Sequence, residues 1–245
     1  MAARSKWQWV AALAVLVSAT GAILLALAGP GYRMGWWTLG TGLQQMLRWG
    51  AYAGIAGAGL GLIGLVLNPP GRAFEGFLLS LVALVGGVLV AGVPWQWQRT
   101  AQQVPRIHDI TTDTVTPPTF TAVVPLRVDA NPLAYTEDKA EAQREGYPAL
   151  GPLHLEASPA DTYTRALALV GSRGWELVAD SADTRVIEAT DTTRWFGFKD
   201  DVVIRVSAMP DGGSRVDMRS VSRVGRSDVG TNARRIEAFL TELAR

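Results

Sequence analysis

Charge is spread so unevenly along this chain that it limits the fold more than any motif does: seven Lys, Arg, Asp and Glu fall among the first hundred residues and thirty-eight in the rest. Few soluble folds leave a hundred residues so nearly uncharged, so the sequence reads as a membrane region joined to one soluble domain. Residues 1–105 carry Arg4, Lys6, Arg33, Arg48, Arg72 and Arg99 against Glu75, a net +5, whereas residues 106–245 carry 17 basic and 21 acidic side chains, a net −4. The overall +1 is a cancellation of the two. A mildly acidic soluble half argues against nucleic acid as a partner, because duplex binding relies on clustered basic residues that neutralise several phosphates. The chain has no Cys, which removes disulfides, thiolate ligands and thiol nucleophiles, and only His108 and His154 as histidines, too few for a multi-histidine metal centre. No cofactor is expected.

The membrane region is assigned to residues 1–97, with spans at about 9–29, 49–68 and 75–94. The first is an uncharged run of 21 residues, enough to cross about 30 Å of hydrocarbon at about 1.5 Å per residue. Pro69, Pro70 and Gly71 end the second span and turn the chain into the third. The stretch 32–48 reads either as an interfacial helix or as an extension of the second span. Trp7, Trp9, Trp36, Trp37, Trp49, Trp95 and Trp97 stand at span ends, where an amphipathic indole prefers the headgroup level. Gly50, Gly54, Gly57 and Gly61 form two GxxxG pairs. Such small residues let helix backbones approach closely, either for packing against the other two spans or for a homodimer.

Arg4 and Lys6 favour a cytoplasmic start, and an odd number of spans then places the soluble domain outside a cell inner membrane, although Arg33, Arg48, Arg99 and Arg106 weaken the contrast. A signal-peptide reading, with cleavage after Ala26–Ala28, leaves two spans and the same outward domain.

A polar stretch at 98–105 reads as a linker, and residues 106–245 as an α+β domain, an antiparallel sheet of about four strands flanked by two helices. RIHDITTDTVTPPTF (106–120) is rich in Thr, Asp and Pro and reads as a structured loop. Residues 127–157 look irregular, with one or two exposed helical turns over 137–145. Ser158 and Pro159 start a helix through Val170. Strands follow over 175–179, 185–191, 201–208 and 215–224, the last two joined by the turn Pro210–Gly213. A closing helix begins near Val229, capped by Asp228 or Ser227, with Ile236, Phe239, Leu240 and Leu243 on one face.

Three segments carry composition that folding alone does not demand: IHDITTD (107–113), ATDTTRWFGFKDD (189–201) and SVSRVGRSDVGTN (220–232). Together they resemble the uncharacterised family catalogued as domain of unknown function 1499, over about residues 105–244 and outside the three spans. The resemblance implies no activity, substrate or catalytic residue, and relatives that look like lipoproteins lean the domain outward.

From the residues themselves, the candidate ligand- or anion-binding groups are His108, Asp109, Thr112, Asp113, Arg194, Lys199, Asp200, Ser222, Arg223, Arg226, Ser227, Asp228 and Asn232. The third segment opens a helix whose amino terminus favours an anion, with Arg223 and Arg226 beside it. Asp228 already stands where such an anion would go, so helix capping and ion pairing are the structural alternative. Trp195, Phe196 and Phe198 form an aromatic knot that packs under the sheet or, if exposed, offers a contact surface. The leading functional expectation is a non-enzymatic membrane-anchored envelope module that binds an apolar or lipid-like ligand or a partner protein. The alternatives are a hydrolase using His108, Asp109 and Asp113 with Arg194 and Arg223, and a membrane scaffold that pairs through its glycines.

Overall fold

The computed structural model describes residues 6–245, so Arg4 of the basic amino-terminal flank lies outside it. The chain forms two compact units: Met1–Thr100 with Trp195–Gly197, and Ala101–Arg194 with Phe198–Arg245.

The first unit contains three helices long and apolar enough to cross a membrane: α1 (Gln8–Arg33), α2 (Leu47–Leu67) and α3 (Phe74–Gln103). A wide π-helical stretch at Thr41–Met46 runs directly into α2, so the ambiguous segment before the second span extends it to a rod of 27 residues. Helix α3 continues past Pro94 to Gln103, so the polar stretch that reads as a linker is largely helical. Trp195 lies edge-on to both Trp97 and Phe196, so these two knot residues belong to this unit and do not pack beneath the sheet.

Small residues fill the interior of the helix set and large ones face out, which inverts the pattern of a water-soluble bundle. Buried positions include Ala11, Ala14 and Ser18 of α1, five glycines of α2, and Ser80, Ala83 and Gly87 of α3. Leu16, Ile23, Ile55, Leu62, Val82 and Leu89 are exposed. A Cβ at Gly54 would lie 2.8 Å from the Gly87 carbonyl oxygen, and one at Gly61 2.7 Å from the Leu84 nitrogen, both in α3. A Cβ at Gly57 would lie 2.8 Å from the Ser18 nitrogen, and one at Gly50 2.8 Å from Leu25 Cδ2, both in α1. Within the chain the two GxxxG pairs therefore face α1 and α3. Ser18 Oγ donates to the Ala83 carbonyl at 2.9 Å, satisfying a hydroxyl that has no water partner at that depth.

The second unit is built on a six-stranded antiparallel sheet, two strands more than the sequence indicates. Its strands are β1 (Asp109–Thr111), β2 (Leu153–Leu155), β3 (Glu176–Ser181), β4 (Val186–Thr192), β5 (Lys199–Ala208) and β6 (Ser214–Ser222). Their order is β1-β6-β5-β4-β3, with β2 also paired to β6. The two unforeseen strands have three residues each, too few for alternation to register, and β1 is hidden in a Thr- and Asp-rich stretch that reads as loop. Met209 N–H donates to the Gly213 carbonyl, and Gly212, at φ 87°, supplies the left-handed step of the PDGG turn.

One sheet face is apolar: Ile110, Ile187, Ala189, Val202, Ile204, Val206, Val216 and Met218. Helices α5 (Pro159–Ser172) and α6 (Thr231–Leu243) cover it with Tyr163, Ala166, Val170, Ile236, Phe239 and Leu240. Ser158 starts α5 by accepting the Asp161 N–H. Alternation sends the intervening residues, Glu188, Thr190, Asp201, Arg205, Asp217 and Arg219, to the opposite face. A strap, residues 112–135, irregular apart from a 3-10 turn at Val124–Leu126, covers them together with α4 (Glu137–Gly146). Helix α4 is longer than one or two exposed turns, because Ala140 and Gln143 are buried. Gln143 acts as an extra sheet partner: its Oε1 accepts Thr111 N–H at 2.9 Å and its Nε2 donates to Thr111 O at 2.6 Å.

Gly54→Val in full-length protein should lower the thermal unfolding midpoint in detergent, since a Cβ there meets backbone that cannot withdraw, an overpacking cost of about 1–3 kcal/mol. Gly59→Ala, with nothing within 4 Å, should leave the midpoint unchanged or raise it slightly. Equal midpoints for the two variants would refute the packing described.

Candidate functional site

Two networks of buried polar groups occupy the two faces of the sheet, and the three unusual segments supply many of their members. On the strap face, Arg219 donates from Nε and Nη2 to both oxygens of Asp109, at 2.9 and 2.8 Å. Its remaining hydrogens reach the strap carbonyls of Pro118 (3.2 Å) and Leu133 (2.6 Å), and the rings of Phe120 and Tyr135 lie 5.4 and 5.5 Å from the guanidinium carbon. Lys139 adds a 3.3 Å contact to Asp109.

Asp201 accepts from Arg223 (2.9 and 2.8 Å), from Thr190 (2.7 Å) and from Arg127. Burial opposes ionisation of Asp201, but the bonds from Arg223, Thr190 and Arg127 outweigh it and hold the carboxyl below the usual range. Glu188 accepts three successive strap amides, Thr121, Ala122 and Val123, at 2.8, 3.0 and 3.0 Å. Further along, Asp217 and Asp113 share Arg205 and Arg215. Thr112 Oγ1 accepts Met218 N–H and donates to Asp217. Burial of Asp113 is likewise outweighed, by the Thr116 and Val115 amides, the Thr116 hydroxyl and Arg215, and its carboxyl lies low.

On the helix face, Arg235 joins Asp191 (2.9 Å), Asp200 (2.6 Å), Ser220 (3.0 Å) and Asn232. Asn232 Nδ2 donates to the His108 carbonyl and to Ser222 Oγ, each at 3.0 Å. The N-cap residue of α6 is Gly230, not Asp228 or Ser227; these stand in the turn before it, Asp228 accepting the Gly230 and Asn232 amides at 3.0 and 2.6 Å and Ser227 the Val229 amide. The turn into α6 passes through two left-handed residues, Val229 (φ 53°) and Gly230 (φ 75°). A β-branched residue there is a strained conformation that the surrounding bonds must hold. Burial pushes the Asp228 carboxyl up, and the nearby Asp200 charge adds to it against the amides.

The structure thus gathers His108, Lys199, Asp200, Ser222, Arg223, Ser227, Asp228 and Asn232 at one end of the sheet, while Thr112 and Asp113 lie further along it. His108 O accepts Ser222 N–H, and Arg223 N–H donates to Lys199 O, so segments one, two and three meet. His108, Asp109 and Asp113 do not form a joint centre, because Asp109 is held by Arg219 and Lys139, and Asp113 by Arg205 and Arg215. Arg226 and Arg194 are exposed, and Lys199 makes a solvent-side pair with Glu176 at 3.6 Å. His108 Nε2 is buried without a hydrogen-bond partner. Burial, reinforced by Lys139, lowers its pKa, so the imidazole is neutral at pH 7. Among the described residues no group of three or more His, Asp and Glu could hold a metal ion.

Sequence reasoning missed Glu188, Arg219, Arg127, Gln143 and Arg235. The signal available for three of them was position: Glu188 and Arg219 interrupt strands, and Arg235 interrupts the apolar stripe of α6.

Asp201→Ala should destabilise the domain by about 3–5 kcal/mol, read as a lower urea midpoint by near-ultraviolet circular dichroism, because it leaves Arg127 and Arg223 facing an empty site. A loss under about 1 kcal/mol would show the pair to be solvated. His108 gives a pH signature. Its folded pKa lies below the unfolded value of about 6.5, so the unfolded chain takes up the proton first and stability falls as pH drops below about 6.5. The slope from one such group is at most about 1.4 kcal/mol per pH unit. His108→Gln should flatten the fall in urea midpoint between about pH 7.5 and about pH 5.5, and an unchanged fall would refute it.

The sequence model of the family described as "Protein of unknown function (DUF1499)" matches residues 109–243. That match begins at the first residue of β1, ends at the last of α6, and takes in all six strands and both polar networks. No curated protein matches the chain. Through this α+β domain, the chain belongs to the DUF1499 family.

Proposed function

We propose that the protein is a non-enzymatic module anchored in the cell inner membrane by α1–α3, with its α+β domain on the extracytoplasmic side offering a binding surface to a lipid-like ligand or a partner. The observation that carries this reading is the engagement of the three segments with one another. Asp109, Thr112, Asp113, Asp200, Ser222, Arg223, Asp228 and Asn232 all bond inside the domain, so the residues that most resemble catalytic groups serve to hold it together. Recognition then falls to exposed surface. Three spans put the two ends of the chain on opposite sides of a bilayer, and the basic amino-terminal flank supports a cytoplasmic start.

His108 favours a second reading, hydrolysis, since a half-buried neutral imidazole with a vacant Nε2 has the chemistry of a general base. Against it, both carboxylates expected to assist are held by cations. Purified full-length protein should show no turnover of chromogenic esters or phosphoesters above that of His108→Ala. Turnover that disappears in His108→Ala would replace the binding reading with the hydrolytic one. For sidedness, alkaline phosphatase fused after Arg245 should be active, and an inactive phosphatase with a fluorescent cytoplasmic-type fusion would reverse the orientation.

A further inference from the structure

The end of the sheet where the chain enters the α+β domain has a surface unlike the rest of it. Strand β1 starts there, Asp109 pairing with Val221, and Asp200 pairs with Ser222. Asn131 is tied to the same end, its N–H donating to Arg223 O at 2.7 Å and its Nδ2 to Ser222 O at 3.1 Å. The strap residues leading to Asn131 therefore lie there too. Arg127 turns inward to Asp201, and the Leu126 carbonyl accepts from Arg223 at 2.9 Å. Around these inward bonds Val124, Leu126 and Val128 stand 49%, 50% and 80% exposed.

Exposed cations share this end: Arg106, Lys199 and Arg226. The exposed acids there include Asp129, Glu176, paired with Lys199, and Glu145, beside the Gly146 that packs on Pro105. A domain of net −4 thus gathers three exposed cations at one apolar-tipped end. Five residues, 104–108, separate it along the chain from the last residue of α3, about 20 Å of extended chain at most, and residues 95–103 of α3 add about 14 Å, so it is tethered within about 34 Å of the apolar span.

We propose that this end is a lipid-docking surface, in which Val124, Leu126 and Val128 enter the headgroup layer and Arg106, Lys199 and Arg226 bind anionic phospholipid headgroups of the membrane that holds α1–α3. The proposal rests on the membrane reading of those helices. Apolar tips gain by leaving water, and each cation near an anionic surface raises partitioning about fivefold. The cations beside the apolar tips fit an anionic lipid surface better than a purely apolar partner, which would leave them without counter-charge.

The chain has no Cys, so single cysteines can be spin-labelled in otherwise native full-length protein. Labels at Leu126→Cys and Val128→Cys are compared in nanodiscs of phosphatidylcholine alone and of equal parts phosphatidylcholine and phosphatidylglycerol. Ile55→Cys, 61% exposed on α2, reports the span, and Val115→Cys, 87% exposed on the strap near Arg215, reports water. In the anionic discs the labels at 126 and 128 should collide more with oxygen than with a polar nickel chelate, as at 55, while 115 behaves as aqueous. Adding Arg106→Gln and Arg226→Gln should return 126 and 128 toward the aqueous value. Aqueous values at 126 and 128 with a lipid value at 55 would overturn the docking surface alone. An aqueous value at 55 would overturn the span reading on which it rests. Equal depth in both disc types would overturn headgroup recognition.

Discussion

The second face of the sheet is closed by charged side chains of its strands, among them the guanidinium of Arg219. Arg219 sits on a strand, takes both oxygens of Asp109 and donates to two carbonyls of a strap that is irregular apart from a 3-10 turn at Val124–Leu126. A segment such as 112–135 satisfies little of its backbone by helix or ladder, and buried carbonyls and amides left unpaired cost more than the bonds themselves return. The sheet supplies the missing partners. Arg219, Arg223 and Arg205 donate to strap carbonyls, and Glu188 accepts three consecutive strap amides. Each ion in turn loses its water, a penalty that pairing and these extra bonds offset. A mismatched register of the strap would bury unpaired charge, which disfavours other dockings.

The two units follow opposite packing rules. In the α+β domain, large apolar side chains between the sheet and two helices provide the driving force, and polar groups close the other face. Among α1–α3 small residues are inside, so contact comes from backbone approach at glycine. That inversion makes large outward side chains suited to lipid and leaves the interior too tight for added methyl groups.

How much of this was readable from sequence depends on whether one signal sufficed. Helices α1–α3 were legible because runs of twenty uncharged residues have few other uses, and α5 and α6 because caps and periodicity agree. The long hairpin of β5 and β6 was marked by alternation and by Pro210–Gly213. Strands β1 and β2 were not legible, being three-residue additions whose existence depends on the edge of β6. The convergence of the three segments was foreseeable only as a question. Capping near Asp228 was legible because its amide partners lie two and four residues away, whereas the pairing of Asp109 with Arg219, far along the chain, is not revealed by composition. The burial of charged residues within strands, such as Glu188 and Arg219, was not legible, because alternation shows which side a residue takes and not what covers that side.

The account depends on the strap being held by charges of the sheet, and hydrogen–deuterium exchange on full-length Arg219→Met measures that directly. Amides of residues 116–135, including Thr121, Ala122 and Val123 that bond Glu188, should lose protection while those pairing β4 with β5 keep theirs. Unchanged protection across the strap, or an equal loss throughout the sheet, would contradict it.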